Sequence, residues 1–166
     1  MNDLTIELLI TGGTLDKDYH AIRGELVFSE THLSELLSEA NTTLDIQSQV
    51  LMLKDSLEMT DTDREIIYQA CLTSHHSHIV ITHGTDTMCQ TAEYLLNRPG
   101  LLNKTIVLTG AMRPFKLGNS DASFNIASAL MAVQLAKPSV YIAMNGQLFT
   151  AQQVQKNRAL GLFETI

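Results

Sequence analysis

Ile79-Val80-Ile81-Thr82-His83-Gly84-Thr85-Asp86-Thr87 opens the stretch that decides the fold. Apolar, β-branched residues run without a break into a glycine-containing turn, and a helix-forming segment from Thr85 to Leu96 follows. A strand with no polar alternation is buried on both faces, as a parallel strand between two helical layers is. The same unit recurs on either side. Leu4 to Ile10 is a short apolar run stopped by Thr11-Gly12-Gly13-Thr14. After a loop, Leu33, Leu36, Leu37 and Ala40 keep the spacing of an amphipathic helix. Leu44, Ile46, Val50 and Met52 then alternate as a strand does. Thr60 with Asp63 reads as a capping box opening a helix through Ile66, Ile67, Ala70 and Cys71. Downstream come a strand from Thr105 to Leu108, a helix from Asn125 to Ala136 and a strand from Val140 to Met144. Asn145-Gly146 marks a tight hairpin turn, and Gln147 to Ile166 reads as a short strand plus a loop.

Strands each followed by a helix define a doubly wound α/β domain with a mostly parallel, Rossmann- or flavodoxin-like sheet. No Pro-, Gly- or Ser-rich linker divides the chain, so residues 1–166 are expected to form a single domain. Ligands of such sheets bind beyond the carboxyl ends of the strands, where Thr14, Ser56 and Thr85 are all expected to emerge.

Bulk properties exclude several classes of partner. With 18 acidic against 11 basic residues the formal charge is −7, which repels a phosphate backbone and argues against nucleic acid. No apolar run reaches the roughly 20 residues that span a bilayer, and the N-terminus has no basic, then apolar, leader pattern. A cytoplasmic protein without membrane contact is therefore expected. Cys71 and Cys89 stand in helix-like segments without metal spacing, as buried thiols would. His75, His76 and His78 lie in a loop with no carboxylate or cysteine at ligand spacing, so no metal is expected there.

Two threonine-rich turns carry the chemical signal. In Thr11-Gly12-Gly13-Thr14 the glycines let the backbone approach a ligand closely. The turn lacks the GxGxxG or GK[ST] pattern of a nucleotide cradle, and its plain alternative is a strand-to-loop turn. His83-Gly84-Thr85-Asp86-Thr87 sets a hydroxyl and a carboxylate at a strand end and a helix N-terminus, which suits an oxyanion; simple helix capping by Thr85 or Asp86 accounts for that segment equally well. A threonine nucleophile needs a partner to take its proton, and Tyr19, Asp86 and Lys156 are the candidates. His83 is expected to shape the turn rather than react.

Ile10-Thr11-Gly12-Gly13-Thr14-Leu15 and Ile81-Thr82-His83-Gly84-Thr85-Asp86-Thr87 closely resemble the two signature segments of the bacterial-type L-asparaginase and glutaminase-asparaginase family. Leu108 to Phe115, Ser120 to Asn125, Lys54 to Met59 and the surroundings of Lys156 extend the resemblance over nearly the whole chain. It implies hydrolysis of the side-chain amide of asparagine, or of a similar small amide, through an acyl-threonine intermediate, with no metal or organic cofactor. Carried over residue by residue, Thr14 is the nucleophile and Tyr19 assists it from a loop. Thr85, Asp86 and Lys156 form a second group that activates the nucleophile or the water. Asp86 also meets the substrate's α-amino group and Ser56 its α-carboxylate. Leu57 stands where many members carry glutamine or serine. Longer members continue into a smaller C-terminal domain that completes a neighbour's site, whereas this chain ends at Ile166; a homodimer or higher homo-oligomer is expected to cover the crevice instead. The competing expectations are a sensor or regulatory module that binds an amino acid without turnover, and an unrelated nucleotide-binding α/β domain.

Overall fold

The computed structural model describes residues 4–166. Its central sheet has the order β4-β1-β5-β6-β7-β8, built from β1 (Thr5–Gly12), β4 (Asp45–Lys54), β5 (His78–Thr82), β6 (Thr105–Thr109), β7 (Ser139–Met144) and β8 (Gln147–Thr150). The first five of these strands pair in parallel and β8 returns antiparallel to β7. Counting the parallel strands alone in chain order, the arrangement is 2-1-3-4-5, the flavodoxin-like winding. The expected fold class is therefore the observed one.

Side-chain alternation explains why both faces are covered. Ile79 and Ile81 of β5 pack with Ile67, Cys71, Ala92 and Leu95, from α2 (Asp61–Thr73) and α3 (Met88–Leu96). Val80 points the other way, into a cluster with Leu33, Leu36, Ile126, Ala129 and Val133, from α1 (Leu33–Ala40) and α4 (Ala122–Leu135). A period of two in the strands thus feeds two separate apolar layers. The capping box at the head of α2 is present in both directions, the Thr60 side chain accepting from Asp63 N–H and the Asp63 side chain from Thr60 N–H. Asn145 and Gly146 both have positive φ, at 55° and 72°, and join β7 to β8 through the expected two-residue turn.

Three departures have local causes. The expected loop after β1 contains a small hairpin, β2 (Asp18–His20) paired with β3 (Glu25–Val27), whose strands are too short for a periodicity signal. α3 begins at Met88, after Thr87, so neither Thr85 nor Asp86 caps it. The tail is more ordered than a strand plus loop: β9 (Val154–Asn157) and β10 (Leu162–Thr165) form a second hairpin, with Phe163, 1% exposed, and Val154 anchoring it in the α2/α3-side core.

Candidate active site at the β1/β5 switch point

Neighbouring strands β1 and β5 send their connections to opposite faces of the sheet, and the crevice between their carboxyl ends is where such folds hold ligands. Both threonine turns leave from these two strand ends. The pairing register of β1 with β4 slips between Ile10 and Gly12, and Gly13 N–H reaches the Lys54 carbonyl at 2.9 Å. Gly13 sits at φ 80°, and a Cβ on it would stand 2.5 Å from the Cα and N of Gly84. A Cβ on Gly84 would in turn lie 2.6 Å from the Cβ and Oγ of Ser56. Only hydrogen at both positions lets three strand ends touch, so these glycines are the physical condition for bringing residues 14, 56 and 85 together.

The second group is assembled by the C-terminal hairpin. Lys156 Nζ donates to Thr85 Oγ1 at 2.8 Å and to Asp86 Oδ1 at 2.9 Å. Thr85 is buried and the lysine side chain is only 11% exposed, so the ammonium is held where solvent screening is weak. Arg158, two residues further on, brings a guanidinium 3.8 Å from the same carboxylate oxygen and donates to the Asp86 carbonyl at 3.4 Å.

Ser56 is buried behind this group. Its Oγ accepts from Thr87 N–H at 3.2 Å and its carbonyl accepts from Thr87 Oγ1–H at 2.8 Å, locking the turn after β4 to the turn after β5. Asp55 beside it caps its own turn by accepting from Leu57 N–H, and pairs with Lys17 Nζ at 2.8 Å. The Lys17 hydrogen bond, the Leu57 N–H and the field of Lys156 hold the Asp55 carboxyl below the usual carboxylate range.

His83 shapes the turn from below. Its Nδ1–H donates to the Gly84 carbonyl at 2.7 Å, which leaves Nε2 to accept from Thr91 Oγ1–H at 2.8 Å. Thr91 in turn accepts from Arg64 Nε at 3.1 Å. Burial lowers the His83 pKa to about 4, so the ring is neutral and its tautomer is fixed by the carbonyl.

Thr14 lies on a single 3₁₀ turn, Thr14–Asp16, at the mouth between β1 and β2. Its hydroxyl has no protein hydrogen-bond partner among the described residues, while its carbonyl accepts from Lys17 N–H. Buried Asp16 anchors that turn to the start of α1 by accepting from His32 N–H at 2.8 Å and Thr31 Oγ1–H at 3.1 Å; desolvation raises its pKa against those bonds. Tyr19 stands on β2, 55% exposed, with no side-chain hydrogen bond among the described residues. The structure thus joins Thr85, Asp86 and Lys156 directly, sets Ser56 against them, and leaves Thr14 and Tyr19 on the adjacent, more open wall. Lys17, Asp55, Arg158 and the Arg64–Thr91–His83 chain were not read from the sequence as parts of the site. Only Arg158 had a usable signal, two positions along the chain from Lys156.

A surface hollow of about 550 Å³ lies elsewhere, along the far end of α3 among Gln90, Glu93, Tyr94, Asn97 and Arg98. Arg98 stacks 4.1 Å from the Tyr94 ring and 5.3 Å from that of Tyr68 there. The hollow is lined by amides, one carboxylate, a phenol and a guanidinium, whereas the switch point gathers threonine and serine hydroxyls, two ammonium groups and two carboxylates. Among the described residues no group of three or more His, Cys, Asp or Glu could hold a metal ion, the loop of His75, His76 and His78 included.

Fold and site together define a flavodoxin-like α/β domain with a threonine–lysine–aspartate cluster at its switch point. The asparaginase N-terminal family model matches residues 5–163, and the chain belongs to that family. It is 32% identical to a probable periplasmic L-asparaginase of Haemophilus influenzae over 91% of this chain and 46% of that one. It is 34% identical to a glutamyl-tRNA(Gln) amidotransferase component of Methanococcus vannielii, over 86% of this chain and 34% of the relative. The thermostable L-asparaginase of Thermococcus kodakarensis superposes with a TM-score of 0.85 at 29% identity, covering 98% of this chain and 51% of that one. The chain spans about half or less of the length of these relatives.

Proposed function

We propose that this chain is an amidohydrolase that cleaves the side-chain amide of asparagine, or of a similar small amide, to a carboxylate and ammonia. The observation that carries the reading is the pair of hydrogen bonds from the buried Lys156 ammonium to the Thr85 hydroxyl and the Asp86 carboxylate, beside a second threonine, Thr14, whose hydroxyl has no hydrogen-bond partner among the described residues. In the first step Thr14 Oγ attacks the amide carbon, its proton goes to the leaving nitrogen, and ammonia departs from an acyl-threonine ester. In the second, water attacks the ester, the acid leaves and Thr14 recovers its proton. Tyr19 assists the first step once its hairpin folds inward. The Thr85–Lys156–Asp86 group is suited to activate the water, because the Asp86 carboxylate can accept a proton from it and return it while the Lys156 ammonium holds the Thr85 hydroxyl and the carboxylate in place. No cofactor is required by this sequence of steps.

Purified protein incubated with L-asparagine, L-glutamine and D-asparagine is expected to release ammonia, and Thr14→Ala and Thr85→Ala are each expected to abolish the release. A second reading, an amino-acid-binding regulatory module, is favoured by the openness of the Thr14 wall and by Leu57, 62% exposed beside Ser56. Aspartate binding without ammonia from any amide would establish it in place of the enzyme. The relatives act in different settings, one named periplasmic and another, from Campylobacter jejuni, named cytoplasmic. Among the described residues no helix is long and apolar enough to cross a membrane. We place this protein in the cytoplasm as a homodimer or larger homo-oligomer with a small-molecule substrate; light scattering at the monomer mass of 18.3 kDa would refute the assembly.

A further inference from the structure

Thr14 has a tether on either side of it, and both lead to the end of β4. Ahead of it, Gly13 N–H donates to the Lys54 carbonyl at 2.9 Å. Behind it, the Lys17 ammonium donates to Asp55 Oδ2 at 2.8 Å, and Lys17 N–H closes the 3₁₀ turn on the Thr14 carbonyl at 3.1 Å. The two anchors, Lys54 and Asp55, are consecutive, and Ser56 follows them. A 3₁₀ turn of three residues has little rigidity of its own, so its orientation depends on what its ends are fastened to. Asp16 ties the far side of the turn to α1 through His32 N–H, whereas the side-chain tie to the strand end beside Ser56 is made by Lys17.

Both partners of that tie are themselves held. Asp55 Oδ1 accepts from Leu57 N–H at 3.0 Å, which fixes the carboxylate on the turn after β4 and leaves Oδ2 for the ammonium. The pair is sheltered without being sealed, the lysine side chain being 19% exposed and the aspartate 35%. The same ammonium stands 5.5 Å from the centre of the Phe28 ring, immediately after β3, so both feet of the β2–β3 hairpin meet at Lys17. One side chain thus joins the Thr14 turn, the end of β4 and the base of the hairpin that carries Tyr19.

We propose that Lys17 is a positioning residue, whose ion pair with Asp55 clamps the Thr14 turn to the end of β4 and with it the direction of the Thr14 hydroxyl. The proposal rests on the amidohydrolase reading for its effect on turnover but not for the clamp itself. Lys17→Met, Asp55→Asn and the double variant are compared with wild type, with Lys17→Arg as the conservative replacement. Asp55→Asn keeps an oxygen for Leu57 N–H, so the turn after β4 is retained. In Lys17→Met the Gly13 and Lys17 amides are expected to exchange with solvent about tenfold faster or more by NMR, while amides within β5 stay as in wild type. With asparagine, kcat is expected to fall about ten- to a hundredfold and KM to change less than about twofold, because misplacing a reacting group slows the chemistry without removing a substrate contact. Lys17→Arg is expected to restore most of both. The double variant is expected to be no worse than Lys17→Met, since each substitution breaks the same pair.

Unchanged exchange of the Gly13 and Lys17 amides in Lys17→Met overturns the proposal, as do losses that add in the double variant. Faster exchange with an unchanged kcat also overturns it and leaves the amidohydrolase reading standing. If wild type releases ammonia from no amide, that reading falls and exchange alone decides the clamp. It then stands if Lys17→Met and the double variant loosen the same amides equally, and fails if they do not.

Discussion

The two walls of the crevice carry similar residues and are built differently. On the β5 side, every group near Thr85 is held by another: Lys156 from the C-terminal hairpin, Ser56 and Thr87 from the side, and His83, Thr91 and Arg64 from below. On the β1 side, the Thr14 hydroxyl has no partner among the described residues and Tyr19 rides on a hairpin of two three-residue strands. Buried, mutually bonded groups resist displacement, whereas an exposed two-stranded hairpin has few contacts to oppose local opening. One wall is fixed by mutual hydrogen bonds, and the other has few contacts to hold it in place.

The largest expected effect tests that division directly. Lys156→Met, which keeps the length and removes the ammonium, is expected to lower kcat about a thousandfold, whereas Tyr19→Phe is expected to cost about tenfold. Equal losses in steady-state ammonia release would abolish the distinction between a fixed template and an adaptable flap. Stability offers a second contrast. Gly13→Ala forces a Cβ against the Gly84 backbone at a positive φ and is expected to cost about 3 kcal/mol, or about 6–12 °C in melting temperature. Gly24→Ala, in the β2–β3 turn, also sits at positive φ but has nothing within 4 Å, and should cost about 1 kcal/mol.

A pH titration sharpens the comparison from the buried side. His83 has a pKa of about 4 in the folded protein and an ordinary one when unfolded. The folded state therefore binds fewer protons than the unfolded state between about pH 6.5 and pH 4, so stability is full above that window and falls as the pH drops through it. The loss amounts to up to about 3 kcal/mol, read from denaturant midpoints, and a His83→Gln variant should show a flatter slope. The smallest effect belongs to the Thr14 turn. Asp16→Asn retains an oxygen for His32 N–H and removes a carboxylate whose pKa burial has raised, so at neutral pH its stability should stay within about 1 kcal/mol of wild type.

Much of the fold was legible because its strands are continuously apolar and its helices periodic; β5 and β6 read directly as buried strands. The β2–β3 hairpin was not, since three-residue strands with exposed side chains leave no pattern. β9 and β10 were hidden for a related reason: Gln155 and Lys156 face outward or into a polar site, and only Val154 and Phe163 mark the core. At the site, the glycine-flanked turns announced Thr14, Thr85 and Asp86, the strand ends offered Ser56, the need for a proton partner offered Lys156 and Tyr19, and the family resemblance gave each its role. The sequence could not pair Lys17 with Asp55, because nothing local relates two charges 38 residues apart. It also weighed Thr85 and Asp86 as helix caps, and the chain resolves the matter by starting α3 one residue after Thr87.

Lys156 stands 71 residues downstream of the hydroxyl it touches. A ribosome adding 5–20 residues per second delivers it about 4–14 s after Thr85, when the nearest parallel strands already have their pairing partners. The Thr85–Asp86–Lys156 cluster is thus completed by the β9–β10 hairpin, as a latch is closed on a finished frame. A nascent chain holding every segment through β8 would still lack the Lys156 ammonium that joins Thr85 to Asp86.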